Sequence, residues 1–254
     1  MSVKFKADSH QYFSHDDKEL ISVSAFVKKF IPEKDWRAIA KKKVANLKKY
    51  QGIEKTVDGL LAEWEMKRIK GTEAGTALHS IKENELLGYE KIKVGHTDTD
   101  YKWSIPITSL ENGYTYPELM IYNLDYMICG QSDKVVVEND TINIYDYKTD
   151  KSIDFKGFSS KWQEAEKLLG PLSHLDECNG NIYSIKMSLY MYLLWKANKG
   201  KLKPGKIILE WCPIERDEDG VPILYDGVPK QLFQQDIEIP YRKKEVMNML
   251  KTIK

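Results

Sequence analysis

The sequence predicts an α/β or α+β core, and three observations carry that prediction. Residues 25–70 are rich in helix-forming residues, and residues 118–148 alternate with the period of two that marks strands. A second helical stretch then leads into a further strand-like run at 206–214, so helices flank a sheet from both sides in the chain. At 254 residues the chain is long enough for one sizeable core with an attached helical subregion. Its 42% hydrophobic and 30% charged residues are those of an ordinary globular protein, and the net charge of +1 confines any nucleic-acid affinity to a local patch.

The elements come in order. "VKFKADSHQYF" and then "KELISVSAF" read as an opening hairpin, with Ser24 as the N-cap of the helical region after it. From Ala25 to about Lys70, Ala, Leu, Lys, Glu and Trp dominate, with breaks expected near Pro32 and Gly52. "GTEAGTALHSIKENELLG" opens with two glycine–threonine pairs and becomes a helix from about Thr76. Strands are expected at 118–123, 126–137 and 141–148, and helices at 161–169 and about 180–198. "KIILEWCPI" (206–214) reads as a strand, residues 215–236 as a polar hairpin, and "RKKEVMNMLKTI" as a closing helix. There is no internal repeat and no low-complexity linker. The expectation is one domain over 1–254, with a basic helical subregion at about 25–70 and the chemistry-bearing core at about 75–214.

Cys129, Cys178 and Cys212 are odd in number and far apart, which argues against a disulfide framework, a zinc ribbon or a four-cysteine cluster. The longest apolar run, "LYMYLLW" (189–195), is too short to span a bilayer, and "MSVKFKADSH" lacks the apolar stretch of a signal peptide. A soluble chain in a reducing cytoplasm, without a membrane partner, is the expectation.

Chemistry is expected in "GQSDKVVVENDTINIYDYKTDK" (130–151). A two-residue turn at Asn139-Asp140 sets Glu138 opposite Thr141. Five residues further from the turn on each strand, Asp133 would then oppose Asp146 on one face, with Cβ atoms about 5 Å apart. Lys148 shares the face of Asp146, two residues on. Like charges directly opposed destabilise a sheet, and a divalent cation is the simplest offset. A helix from Thr76 would put His79 in its first turn and Glu83 one turn further on the same face. His79, Asp133 and Asp146 suit Mg²⁺ or Mn²⁺: hard oxygen ligands, one nitrogen, and open positions for water and phosphate. Lys148 cannot ligate while charged, but it can position or deprotonate water, or neutralise charge on a phosphoryl group. Glu118 is a further candidate ligand. A two-residue turn at Leu124-Asp125 would pair it with Gln131 on the Asp133 face, whereas a three-residue loop would turn it away.

These residues resemble the pattern of the PD-(D/E)XK nucleases, in the RecB-like group that includes phage exonucleases. That pattern is a Gly-Thr-x-x-His helix, Gly-x-x-Asp on a strand, and Asp/Glu-x-Lys on the next; the counterparts are "GTALH" (75–79), "GQSD" (130–133) and "DYK" (146–148). "HQYF…ISVSAF" and "KMSLYMYLL" (186–194) extend the likeness over most of the chain. The resemblance implies a restriction-endonuclease-like fold, a central mixed sheet flanked by helices. It implies metal ligation by His79, Asp133 and Asp146, with Lys148 assisting hydrolysis and no iron–sulfur cluster. Tyr190 matches the tyrosine of the family's Gln-x-x-x-Tyr helix, but Lys186 stands where that helix has glutamine. The implied activity is a metal-dependent deoxyribonuclease, either an exonuclease or an end- or flap-processing enzyme of phage or mobile-element recombination. Its implied partners are DNA and a single-strand annealing or binding protein; an oligomer is compatible with it, and the location is a bacterial host's cytoplasm. The alternatives are a structure-specific or restriction-type endonuclease on the same core, and a binding module that keeps the fold without turnover.

Some of these residues have plainer readings. Tyr190 falls among Ile182, Ile185, Leu189 and Leu193, an apolar helical stripe that belongs in any core. Glu83 can be a salt-bridging helix residue or can orient His79 from behind. From Lys28 to Lys49, nine basic residues stand against Glu33 and Asp35. Lysine runs are commonly solvated helix faces, but Trp36 and Tyr50 interleave here, so Lys41, Lys42 and Lys43 are expected on a DNA-facing helical wall.

Overall fold

The computed structural model describes residues 2–6, 9–93, 96–98, 102–161 and 163–253. The chain opens with strands β1 (Val3–Lys6), β2 (Gln11–Ser14) and β3 (Glu19–Ser22), followed by helices α1 (Val23–Lys28), α2 (Trp36–Gln51) and α3 (Val57–Leu87). Two short strands, β4 (His96–Asp98) and β5 (Lys102–Ser104), precede the long meander β6 (Tyr114–Asn123), β7 (Ile128–Glu138) and β8 (Thr141–Lys148). A 3-10 turn (Gly170–Leu172) then leads to α4 (Asn179–Ala197) and β9 (Lys203–Trp211). A small hairpin, β10 (Leu224–Tyr225) and β11 (Val228–Pro229), is followed by β12 (Gln235–Glu238) and α5 (Lys243–Leu250). Among the described residues no helix is long and apolar enough to cross a membrane.

The architecture is mixed α/β, a central mixed sheet flanked by helices, with strand order β12-β9-β8-β7-β3-β2-β1-β5-β4 and β6 also paired to β7. The expected turn at Asn139-Asp140 forms with both residues at positive φ, and Glu138 pairs with Thr141. β8 and β9 run parallel, joined by the crossover that contains α4. Successive β8 side chains point to opposite faces. Ile142 and Ile144 enter the main core, which α4 shares with α1 and α5, whereas Tyr147 joins Leu78 of α3 and Cys212 in a small cluster. Helices α4 and α3 therefore cover opposite faces of β8.

The feature that positions the site is a fork beside β7. One edge of β7 bonds to β6 from Tyr114–Val137 through Asn123–Ile128. The other edge is divided: Ile128 and Cys129 pair with Ile21 and Ser22 of β3, and Lys134 to Glu138 pair with β8. Between these two pairings, Gly130–Asp133 have no strand partner on that edge among the described residues.

The structure corrects several expectations. The N-cap of α1 is Ser22, whose hydroxyl accepts Ala25 N–H at 3.0 Å, not Ser24. Helix α3 runs unbroken through Gly71 and Gly75 from its cap at Thr56, so His79 lies well inside a 31-residue helix rather than in a first turn. Residues 161 and 163–169 are not helical, against the expectation for 161–169. Lys167 bridges Asp176 and Leu168 N–H bonds the Leu175 carbonyl, which ties this stretch to the 3-10 turn against the core. β4 and β5 have no counterpart among the expected strands, and the first stretch of the opening hairpin forms two strands, β1 and β2, with β3 in the second stretch. Ala7, Asp8 and Trp162, which fall within expected elements, lie outside the described residues.

Candidate metal centre

Three elements bring their donors together at the fork. One ligand atom each from His79 of α3, Glu118 of β6 and Asp133 of β7 lie within 4.8 Å of one another. Glu118 arrives by a route that neither expected turn allows. The β6–β7 loop is Leu124–Met127, and the register sets Pro117 against Lys134 and Leu119 against Ser132. Glu118 therefore falls opposite Asp133, but its backbone turns to φ 46° and leaves the ladder there. That irregularity aims a carboxylate at the Asp133 face, as bulges beside active sites do.

Asp133 replaces a ladder bond. The β7–β8 pairing ends at Lys134–Tyr145, one step short of Asp133–Asp146. Asp133 Oδ2 instead accepts the N–H of Tyr147 at 2.7 Å and lies 3.4 Å from His79 Nδ1. The two aspartates are thus not cross-strand partners, and the sheet opens where they would have met. The second nitrogen of His79, Nε2, lies 3.2 Å from the Tyr147 carbonyl oxygen. A carbonyl only accepts, so Nε2 carries the proton and Nδ1 is the nitrogen turned to the carboxylates. The backbone of Tyr147 therefore orients the imidazole, the task considered for Glu83. Glu83 lines the same cleft one turn away.

Burial would lower the His79 pKa, but the Asp133 carboxylate reverses this and holds it above the ordinary value. Burial would raise Asp133, yet the hydrogen bond and charge of His79, with Lys148 and Lys186 behind, hold it below the usual carboxylate range. Glu118 moves the other way: burial, then Asp133 and Glu83, push its carboxyl up to about 8. Without a cation the cluster thus carries one strongly ionised carboxylate and one that resists ionisation, the pattern of acids crowded together.

Asp146 does not join this group. It is buried beside Lys148, whose ammonium meets Asp146 Oδ2 in an ionic contact that lacks the direction of a hydrogen bond. Lys148 also donates to the Tyr147 carbonyl at 3.0 Å and lies 4.9 Å from the Tyr183 ring centre. Tyr190 is buried and packs on Gly130, where a Cβ would stand 2.7 Å from its hydroxyl oxygen. Lys186 lies over the Tyr190 ring, 5.9 Å from its centre, and lines a hollow with Asp133 and Glu118. Lys41, Lys42 and Lys43 are exposed on α2, which packs on α3. Arg37–Asp58 and Trp36–Trp64 contacts tie α2 to the first half of α3, remote from His79.

Neither the models of known protein families nor the curated proteins contain a match to this sequence.

Proposed function

We propose that the chain is a divalent-metal-dependent deoxyribonuclease of the PD-(D/E)XK type, on a restriction-endonuclease-like core, acting at DNA ends or flaps. The observation that carries this reading is the convergence of His79, Glu118 and Asp133 at a fork in the sheet, with the Asp146–Lys148 pair on the strand beside it. One imidazole and two carboxylates fit Mg²⁺ or Mn²⁺, and a cation would offset the crowding that burial, Asp133 and Glu83 impose on Glu118. His79, Glu118 and Asp133 would hold the ion, with Asp146 as the further carboxylate of the site. The ion would polarise a phosphoryl oxygen and lower the pKa of a water.

The chain's own residues then act as follows. His79, fixed by the Tyr147 carbonyl, presents Nδ1. Lys148, held by Asp146 and the Tyr147 carbonyl, stands beside the site to offset the phosphodiester's developing negative charge. Lys186 and Tyr190 form one wall of the substrate hollow, and the exposed lysines of α2 offer a remote contact for duplex phosphates. An association with a single-strand annealing or binding protein, and a cytoplasmic site of action, belong to the same proposal.

The test is digestion of circular, linear, single-stranded and flap DNA with Mg²⁺, Mn²⁺ or chelator. Loss of linear and flap substrate but not of closed circles is expected. Cleavage of closed circles would make the enzyme an endonuclease, and no cleavage with either metal would leave a binding module.

A further inference from the structure

The cleft at the metal group has a second wall that the motifs do not mention. The strands β1, β2 and β5 reach it by way of the two-residue pairing of β3 with β7. Two hollows meet over Glu118 and Gln131. One, of about 410 Å³, is lined by His79 and Glu83 of α3 and by Phe5, His10 and Lys102. The other, of about 250 Å³, holds Asp133, Lys186 and Tyr190. Glu118, Gln131 and His10 line both, so Lys102 and Lys186 line two adjoining hollows that share Glu118, with His79 in the one and Asp133 in the other.

Lys102 is half-buried on β5, opposite Phe5 on β1, and makes no ion pair among the described residues. It lies near enough to Glu118 for its charge to lower that carboxyl's pKa, as Lys186 does for Asp133. An ammonium that is partly withdrawn from water near Glu118, yet in no ion pair with a described side chain, is placed for an anion that enters from outside.

We propose that Lys102 is a substrate-positioning residue: its ammonium binds a backbone phosphate on one side of the scissile position while Lys186 binds one on the other. The inference rests on the nuclease reading for which phosphate is cut, but not for the binding itself. It makes the substrate a strand with phosphates on both sides of the cleaved one, rather than an isolated phosphodiester. A strand spanning the cleft would pass over Gln131 and His10, whose side chains border both hollows.

The experiment measures binding of a fluorescent oligonucleotide by anisotropy, with Ca²⁺ in place of Mg²⁺, across a salt series. Lys102→Ala and Lys102→Gln should each weaken binding about fivefold to tenfold and reduce the log–log salt slope by roughly 0.7–0.9, the share of a single phosphate. Lys102→Arg should restore both. With Mg²⁺, the loss on oligonucleotide cleavage should fall on KM, while hydrolysis of bis(p-nitrophenyl) phosphate, which has no flanking phosphate, should lose far less. Wild-type affinity and slope in the alanine and glutamine variants would overturn the inference, whether or not DNA is cut. Equal losses on the oligonucleotide and on the small diester would overturn it too. A chain that cuts no DNA, yet loses affinity on Lys102→Ala, would overturn the nuclease reading and leave this inference standing.

Discussion

Asp133 does two things through one oxygen: Oδ2 accepts the Tyr147 N–H and faces His79 Nδ1. Were Asp133 merely opposed to Asp146, neutralising it would relieve repulsion and stabilise the metal-free protein. The geometry predicts the reverse. Asp133→Asn should abolish cleavage and also cost about 1–2 kcal/mol of metal-free stability, since the charge-assisted pairing disappears. The Asp133 carboxyl is held below its ordinary range, so its contribution is present above the unfolded value of about 4 and is lost as pH falls further. Urea unfolding in chelator at pH 7 and pH 3 checks this: equal stability of the two proteins at pH 7 would refute it. Lys148 has a similar double role, because removing it strands the buried Asp146 carboxylate. Lys148→Ala should lower turnover by about 10²-fold or more and destabilise by roughly 3 kcal/mol. Adding Asp146→Asn should recover most of the stability and none of the activity, as a double-mutant cycle with activity assays would register. At this scale His79, Asp133, Asp146 and Lys148 are legible as residue types at telling spacings. The place of Glu118 is not, because it depends on a four-residue loop and one left-handed backbone angle that no periodicity encodes.

Strand β8 is legible in its bounds, and in its pairing with β7 as far as Lys134–Tyr145, since a turn with two positive-φ residues sets the register. Helix α3 misleads for an equally physical reason. Gly71 and Gly75 look like breakers, but a long helix docked on a sheet and a second helix tolerates each at about 1 kcal/mol. The two glycines of the site's supporting elements therefore make opposite predictions. A Cβ on Gly71 would meet nothing within 4 Å, so Gly71→Ala should stabilise the protein by about 0.5–1 kcal/mol. A Cβ on Gly130 would press on the Tyr190 ring and on Val23, so Gly130→Ala should destabilise by about 1–3 kcal/mol and push Tyr190 out of the fork. Thermal or urea unfolding of the two variants is the measurement, and a shared sign would show that one of these glycines is differently packed. Residues 163–169 escape the helix prediction because their composition favours a helix while Glu166, Lys167 and Leu168 pair with Glu177, Asp176 and Leu175.

On the scale of the whole molecule, the charge is divided between two places that cannot serve one phosphate. The acidic fork lies towards the C-terminal end of α3, and the basic run of α2 packs along its N-terminal half, held by Arg37–Asp58 and Trp36–Trp64. His79 lies 21 residues beyond Asp58 in the same helix, a rise of roughly 30 Å at about 1.5 Å per residue. A duplex laid along α3 rises about 3.4 Å per base pair, so Lys41, Lys42 and Lys43 would meet it about nine base pairs from the cut. Their effect should therefore depend on substrate length. With Lys41, Lys42 and Lys43 all changed to glutamine, binding of a duplex of about twenty base pairs should weaken, and its log–log salt slope should fall by roughly one unit for each phosphate no longer neutralised. Binding of a duplex of about six base pairs should be unchanged, and single-turnover cleavage at saturating DNA should keep its rate, because no member of the metal group is disturbed. The measurement is affinity against salt for a ladder of duplex lengths, wild type beside the triple variant. A loss equal at all lengths would place the lysines near the cut and contradict the geometry of α3. No loss at any length would make the run a solvated face. A step near nine base pairs would mark α2 as an arm that grips the duplex behind the site while the fork works at its end.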